Sequence, residues 1–254
     1  MDHQTKDWDV LLAVARDLGG SRSVVAFTGA GISSESGIPT YRGVGGLWNK
    51  YDPNRYANIA HFLQDPSYYW NFFKDVRYPV LKQARPNRAH IALAELEKMG
   101  RLKSVITQNI HGLHQEAGSH RVIELHGTTR IIKCVDCARE YSFDEVFVLL
   151  EKELPPLCKK CRGVLRPAVV FFGESLPPDV LRSAYDAVNS CDFMLVVGSS
   201  LVVHPAAGIP IQAKQGGAKL AILNIDPTPL DDLADFVIRS QAGRALSELI
   251  GLLC

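Results

Sequence analysis

Two short polar stretches carry the residues best suited to chemistry. Thr107-Gln108-Asn109-Ile110-His111-Gly112-Leu113-His114 follows the β-branched pair Val105-Ile106, and Glu124-Leu125-His126-Gly127 follows Val122-Ile123. Amides and an imidazole at a strand tip supply hydrogen-bond donors and acceptors, and a base that titrates near neutrality. Open α/β sheets place their ligands at such carboxyl ends, so two polar tips this close in the chain predict one site.

Thiols form the second cluster. Four of the six cysteines fall in two pairs, Cys134-x-x-Cys137 and Cys158-x-x-Cys161, with twenty residues between them. Two residues between ligands let one tight turn aim both sulfurs at one metal, so the pattern predicts a tetrahedral four-thiolate Zn2+ site. Four protein ligands leave the metal no open position, which makes it structural. Disulfides and a redox pair are the other uses of paired cysteines; a reducing compartment disfavours the first, and two matched pairs are commoner in zinc sites than in redox pairs. Cys191 and Cys254 stand outside the pattern and are expected to be a buried apolar residue and a chain end.

Composition limits the partners. Lys plus Arg number 28 against 27 Asp plus Glu, so net charge draws the chain to neither nucleic acid nor an anionic membrane. Asp2, Lys6, Asp7, Asp9, Arg16 and Asp17 leave no room for a signal-peptide core, and no apolar run approaches the roughly 20 residues of a membrane span. A cytoplasmic protein is expected. With 254 residues the chain has room for one large domain and a smaller partner.

Periodicity gives the elements that must hold the two tips. Trp8, Leu11, Leu12, Ala15 and Leu18 recur at helical spacing up to Gly19-Gly20. Ser23 to Thr28 reads as a buried strand running into Gly29-Ala30-Gly31-Ile32-Ser33-Ser34, a glycine turn and helix start suited to a pyrophosphate. The turn-rich segment Ile38 to Trp48, with Tyr41 and Arg42, has the makeup of a loop that closes over a ligand, or equally of a packed surface loop. Tyr51 to Ala84, rich in aromatics and punctuated by Pro53, Pro66 and Pro79, predicts short helices packed as a small module. Arg85-Pro86-Asn87 caps a helix through Met99. Beyond the cysteines, Ala168 to Glu174, Phe193 to Val197 and Leu220 to Asn224 read as further parallel strands buried on both faces. The last two end in Gly198-Ser199-Ser200, with donors for phosphate, and in Asn224 with Asp226, placed for a ribose hydroxyl. An ordinary helix cap and an ordinary turn are the plainer readings of those two ends.

In this order the motifs resemble the sirtuin family of NAD-dependent protein deacylases. The resemblance runs from about residue 20 to residue 245 and rests on Gly29-Ala30-Gly31-Ile32-Ser33, Gly37-Ile38-Pro39, Tyr41-Arg42-Gly43, Thr107-Gln108-Asn109-Ile110, His126-Gly127, the four cysteines, Phe172-Gly173-Glu174, Gly198-Ser199-Ser200 and Asn224. It implies an α/β fold: a Rossmann-like, doubly wound parallel sheet over 1-44, 86-128 and 166-254. A smaller domain would come from the helical insertion 45-85 and the zinc module 129-165. It also implies NAD as co-substrate and an acyl-lysine protein or peptide in the cleft between them, in an enzyme that works as a monomer.

By likeness, Gly29, Ala30, Gly31, Ser33, Ser34, Tyr41 and Arg42 form the NAD loop. Gln108, Asn109, Ile110 and His111 surround the nicotinamide ribose, Gly198, Ser199, Ser200, Asn224 and Asp226 hold phosphate and adenosine ribose, and Ala242 lies near adenine. Val170, Phe172, Gly173, Glu174 and Val203 resemble the peptide groove, where substrate adds as a strand. His126, with Asn109, matches the catalytic pair: the acyl oxygen attacks the ribose as nicotinamide leaves, and the His then helps deprotonate a ribose hydroxyl. His114 is expected to be structural.

Three departures bear on the chemistry. His111 stands where sirtuins usually have an Asp that contacts the nicotinamide carboxamide; neutral imidazole supplies no fixed negative charge, and activity is expected to vary more steeply with pH near neutrality. Tyr41 replaces the usual Phe. Desuccinylating sirtuins carry a Tyr-x-x-Arg pair at the positions of Phe73 and Val76, and Arg77 comes one residue late, so an apolar pocket for acetyl or longer neutral acyl groups is expected. ADP-ribosyl transfer, NAD hydrolysis and a weakly active NAD sensor are the alternatives.

Overall fold

The computed structural model describes residues 3–253, with side chains from residue 7 onward, so Cys254 lies outside the described residues. Nine strands divide into two sheets. Six are parallel: β1 (Val24–Thr28), β2 (Leu102–Thr107), β3 (Val122–Glu124), β7 (Phe193–Val197), β8 (Lys219–Leu223) and β9 (Phe236–Ile238), in the order β3-β2-β1-β7-β8-β9. That is the Rossmann order, three strands wound one way from β1 and three the other. The remaining three, β4 (Gly127–Cys134), β5 (Glu140–Ser142) and β6 (Leu165–Val169), form an antiparallel sheet in the order β5-β4-β6.

The long apolar runs are explained by burial on both faces. Val24 and Ala26 of β1, with Phe193, Leu195 and Val197 of β7, point into one layer with the helices His3–Gly20, Arg88–Lys98 and Ala242–Leu253. Val25, Phe27, Met194 and Val196 point into the other, with Pro178–Asn189 and Gly208–Gln215. Strand alternation sends successive side chains to opposite layers, so both must be apolar. Asn87 caps the helix Arg88–Lys98 by accepting from the Ala89 N–H, while its own N–H donates to His90 Nδ1.

The second unit has a separate core. Phe62, Trp70, Phe73 and Tyr78 of the insertion pack with Ile132, Tyr141, Val146 and Leu165, and Trp70 Nε1 donates to the Leu165 carbonyl (2.9 Å). The aromatics therefore make one body of the short helices and the small sheet. One expectation is corrected here. Ala168 to Glu174 is not a parallel strand: Ala168 and Val169 close β6 antiparallel to β4 and the chain turns at Gly173 (φ +90°). The run is apolar because Val169 and Phe171 enter this small core. The insertion consists of short helices, as expected, and one of them, Phe73–Arg77, winds as a π-helix between Pro66–Phe72 and Tyr78–Gln83.

Among the described residues no helix is long and apolar enough to cross a membrane. Gly198 follows β7 with φ +61°, and a Cβ there would run into the Ile32 nitrogen. Gly198→Ala is expected to cost about 2 to 3 kcal/mol in urea unfolding. Gly20→Ala, with nothing within 4 Å of the added carbon, is the control and should stay within about 0.5 kcal/mol.

Candidate active site

Strand order reverses between β1 and β7, and there the carboxyl ends open into a cavity of about 700 Å³. Such a switch point is where this sheet class binds ligands. The two loops flanking it are held together by backbone: Gly29 N–H donates to Val197 O (3.1 Å) and Gly31 N–H to Gly198 O (2.8 Å). A Cβ on Gly31 would come within 2.8 Å of the Gly198 backbone. This differs from the sequence expectation. The Gly29 and Gly31 N–H groups are used inside the protein, and the turn that follows, Ala30–Ser36, is a 3-10 helix. Among the described residues no protein acceptor meets the N–H groups of Ser199 and Ser200, and an anionic phosphate fits that pair.

The two polar tips converge as expected. Gln108 N–H donates to Thr28 O (2.9 Å) and its Nε2 to Ser199 Oγ (2.8 Å). Asn109 Nδ2 donates to Gly29 O (2.9 Å), leaving Oδ1 as the free end of an amide on the cavity wall. His126 Nδ1 lies 3.0 Å from the Gln108 carbonyl. A carbonyl only accepts, so Nδ1 carries the proton and Nε2 is the basic nitrogen. Burial lowers the His126 pKa, partly opposed by that carbonyl.

Behind the wall lies an uncharged polar cluster. The Asn87 N–H donates to His90 Nδ1 and the Leu113 N–H to His111 Nδ1 (both 3.3 Å). Both rings therefore carry their protons on Nε2, and both donate to Ser33 Oγ, at 3.2 and 3.0 Å. Asn109 Nδ2 also reaches Ser33 Oγ (3.4 Å), and His114 Nε2 meets Thr28 Oγ1 (2.9 Å). Burial pushes His90 down to about 4 and His111 to about 3, the latter helped by His90 and Arg77, and holds His114 well below its usual value. Burial thus keeps His111 uncharged at neutral pH, which argues against the steeper pH response expected there. Ser33 and His111 stand behind Asn109 rather than on the cavity wall, and His114 is buried away from it against Thr28.

Gly29, Ala30, Gly31, Ser34, Tyr41, Arg42, Gln108, Asn109, Ile110 and His126 all line the cavity, as do Gly198, Ser199, Ser200, Asn224, Asp226 and Ala242. So do Val170, Phe172, Gly173, Glu174 and Val203. Glu174 is already committed: Arg166 grips its carboxylate at 2.9 and 2.8 Å and the Phe171 N–H donates to it (2.9 Å), so it fixes the turn at Gly173. Phe172 N–H donates to Ala57 O (2.7 Å).

Sequence reading missed Arg239, named Trp48 without its partner and set Arg77 on another helix face. Arg239 donates to the carbonyls of Asn224 (3.1 Å) and Asp226 (3.2 Å), fixing that tip, and also pairs with Asp231. Trp48 stacks on Tyr41 with centroids 5.0 Å apart. Arg77 lines the cavity, so a cation stands on a wall that was expected to be apolar there. Only the π turn puts it there, and no periodicity in the sequence signals that turn.

The cysteine site fits a metal. All four sulfurs lie within 4.8 Å of one another, with Cys134–Cys161 at 3.4 Å and Cys137–Cys158 at 3.7 Å. Tetrahedral Zn–S bonds of about 2.3 Å place sulfurs about 3.8 Å apart. Ala138 (φ 55°) and Arg162 (φ 64°), each just after a pair, make the left-handed bends that turn both pairs inward. Cys191 is buried.

The Sir2 family model matches residues 29–205. The chain is similar to NAD-dependent protein deacylase 2 of Pyrobaculum aerophilum, at 48% identity over 93% of each chain. It is also similar to the NAD-dependent protein deacylase of Pyrococcus furiosus, at 49% over 93% of this chain and 95% of the other. A solved Sir2 variant with a deacetylated p53 peptide and 3′-O-acetyl-ADP-ribose superposes with a TM-score of 0.91, at 42% identity over 94% of this chain and 96% of that one. A Rossmann-like sheet whose switch-point cleft is joined to a four-cysteine module defines the class, and the chain belongs to the Sir2 family.

Metal analysis of the purified protein is expected to give one zinc per chain, lost in Cys158→Ala together with thermal stability. The buried histidines set a pH dependence as well. The unfolded chain binds protons at about pH 6.5 that the folded rings refuse, so their contribution is full above that pH and is lost as pH falls towards about 4. In urea titrations between those limits, His90→Asn should flatten the dependence of stability on pH by about 1.4 kcal/mol per pH unit.

Proposed function

We propose that this cleft binds NAD and the acylated lysine of a protein and transfers the acyl group to the ADP-ribose, consuming water and releasing nicotinamide and the free lysine amine. The protein is an enzyme, an NAD-dependent protein deacylase. The observation that carries the reading is the His126 Nδ1 bond to the Gln108 carbonyl, which leaves an unprotonated Nε2 on a wall shared with Asn109, Tyr41 and the Val170–Gly173 segment.

When bound, NAD supplies an electrophilic ribose carbon, a leaving nicotinamide and the hydroxyl that ends with the acyl group. The chain's own residues do the rest. Ser199 and Ser200 N–H groups receive phosphate, and Asn224, steadied by Arg239, receives the adenosine ribose. Asn109, its amide fixed by Gly29 and Ser33, orients the reacting ribose. Tyr41 and Trp48 form an aromatic cover that keeps bulk water out. His126 Nε2 takes the hydroxyl proton; the Gln108 carbonyl holds the tautomer and stabilises the imidazolium that results. Gly173 and Val203, whose N–H groups meet no protein acceptor among the described residues, offer a backbone edge on which a peptide strand can lie, with Val170 and Phe172 beside it. That edge favours deacylation over NAD hydrolysis or ADP-ribosyl transfer.

We read 1-44, 86-128 and 166-254 as the NAD-binding domain and 45-85 with 129-165 as the small domain, in one cytoplasmic chain that acts as a monomer without nucleic acid. Mass spectrometry with NAD and an acyl-lysine peptide should show O-acyl-ADP-ribose only when both are present, reduced in His126→Ala by about 10²- to 10⁴-fold. Consumption of NAD without peptide would replace this reading by hydrolysis. Because burial lowers the His126 pKa, kcat/KM should be flat at neutral pH and fall only below about pH 6.5.

A further inference from the structure

Residues 40–49 fold on themselves. The Leu47 N–H donates to Thr40 O (2.8 Å) and the Trp48 N–H to Tyr41 O (3.0 Å). Thr40 Oγ1 donates to Arg42 O (2.8 Å) and Asn49 Nδ2 to Gly43 O (2.9 Å). A surface loop bonded in this way is a compact flap, and its opening is governed by the few ties it makes to the rest of the fold. It brings Tyr41, Arg42, Val44 and Trp48 to the cavity wall, with Arg42 and Val44 exposed. Among the described residues, one hydrogen bond alone ties the flap to a residue outside 40–51: Arg77 Nη2 donates to the Tyr41 hydroxyl (2.9 Å). The other anchors are apolar. Leu47 is buried, and Trp48, stacked on Tyr41, meets Phe172 edge to face with centroids 6.5 Å apart.

Arg77 is 8% exposed, and buried cations are normally paired with a carboxylate. Among the described residues it has no such partner. The Tyr41 hydroxyl is its one hydrogen-bond acceptor, and its guanidinium carbon lies 5.2 Å from the centre of the same ring. The cation therefore engages Tyr41 through both the oxygen and the ring. Its own position is fixed, because Phe73 and Tyr78 at the two ends of the π turn enter the aromatic core of the small unit. One-turn π segments are rare and cluster at functional sites. A donor held rigidly in that unit thus grips a flap that is otherwise bonded only to itself.

Resting on the reading of the cavity as an NAD site, we propose that Arg77 is a positioning residue: it latches the flap through the Tyr41 hydroxyl, so that this wall is in place before the nucleotide arrives. A ligand that binds only the closed form has an apparent Kd equal to its intrinsic Kd divided by the closed fraction. The latch raises that fraction and tightens binding without any contact between Arg77 and NAD.

Two measurements on the zinc-loaded full-length protein test this. The initial rate of trypsin cleavage after Arg42, followed by mass spectrometry without nucleotide, reads the open fraction; calorimetric titration with NAD reads the closed one. Multiplied together, the fold-rise in cleavage and the fold-rise in Kd equal the fall in the closing equilibrium. That product should be about ten in Arg77→Met and in Tyr41→Phe, the scale of one hydrogen bond to a charged group. It should be no larger in the double variant, because both changes remove the same bond, and smaller in Arg77→Lys. Saturating NAD should suppress the cleavage in every variant. Tyr41→Phe removes one oxygen and keeps the ring, so it decides the matter should Arg77→Met fail to fold. A product near one, losses that multiply in the double variant, or NAD binding that leaves Arg42 unprotected overturns the latch. A wild type that binds no NAD overturns the nucleotide reading and this inference with it.

Discussion

The contact on which the rest depends is the approach of two backbone loops at the reversal of the sheet. β1 and β7 pair along their length, yet their next elements leave in opposite directions, and the loops stay together because Gly31 and Gly198 have no side chains to separate them. The cleft exists because of that divergence; its floor is rigid because of that contact. Two amides of the cavity wall are referenced to it, Asn109 through Gly29 O and Gln108 through Ser199.

A second layer of organisation is electrical neutrality. Ser33, His90, His111 and His114 form a buried polar cluster in which each imidazole is uncharged and Ser33 accepts from two of them. Low dielectric strengthens such bonds but makes a net charge there costly. The cluster therefore positions the Asn109 amide without adding charge behind it, while a buried cation, Arg77, stands on the cavity wall close by.

The small unit adds stability through a different route. The helices of the insertion are short, and its sheet has three strands; neither would stand alone. A shared aromatic core, the Trp70 bond to Leu165 and the four converging thiols tie them into one body. That body carries Tyr69, Phe72 and Arg77 to the cleft.

Much of this was legible in the residues alone, and for a physical reason: motifs confined to a few consecutive positions specify their own local geometry. Cys-x-x-Cys pairs, glycine turns after β-branched runs and polar strand tips each act over one turn of chain, and those features led to the zinc site, the switch-point cleft and His126. What periodicity misjudged lay where tertiary packing decides. Ala168 to Val169 reads as one more parallel strand because apolar runs look alike whichever sheet buries them. The charge state of His111 depends on what surrounds the ring, so its lowered pKa was invisible. Arg77 was misplaced because a π turn, stabilised by distant aromatics, changes which face of a helix a residue occupies. Sequence by itself determined the class of chemistry; only the folded chain decided the protonation of its buried imidazoles and the placing of Arg77 on the cavity wall, since both depend on packing by residues far away in the chain.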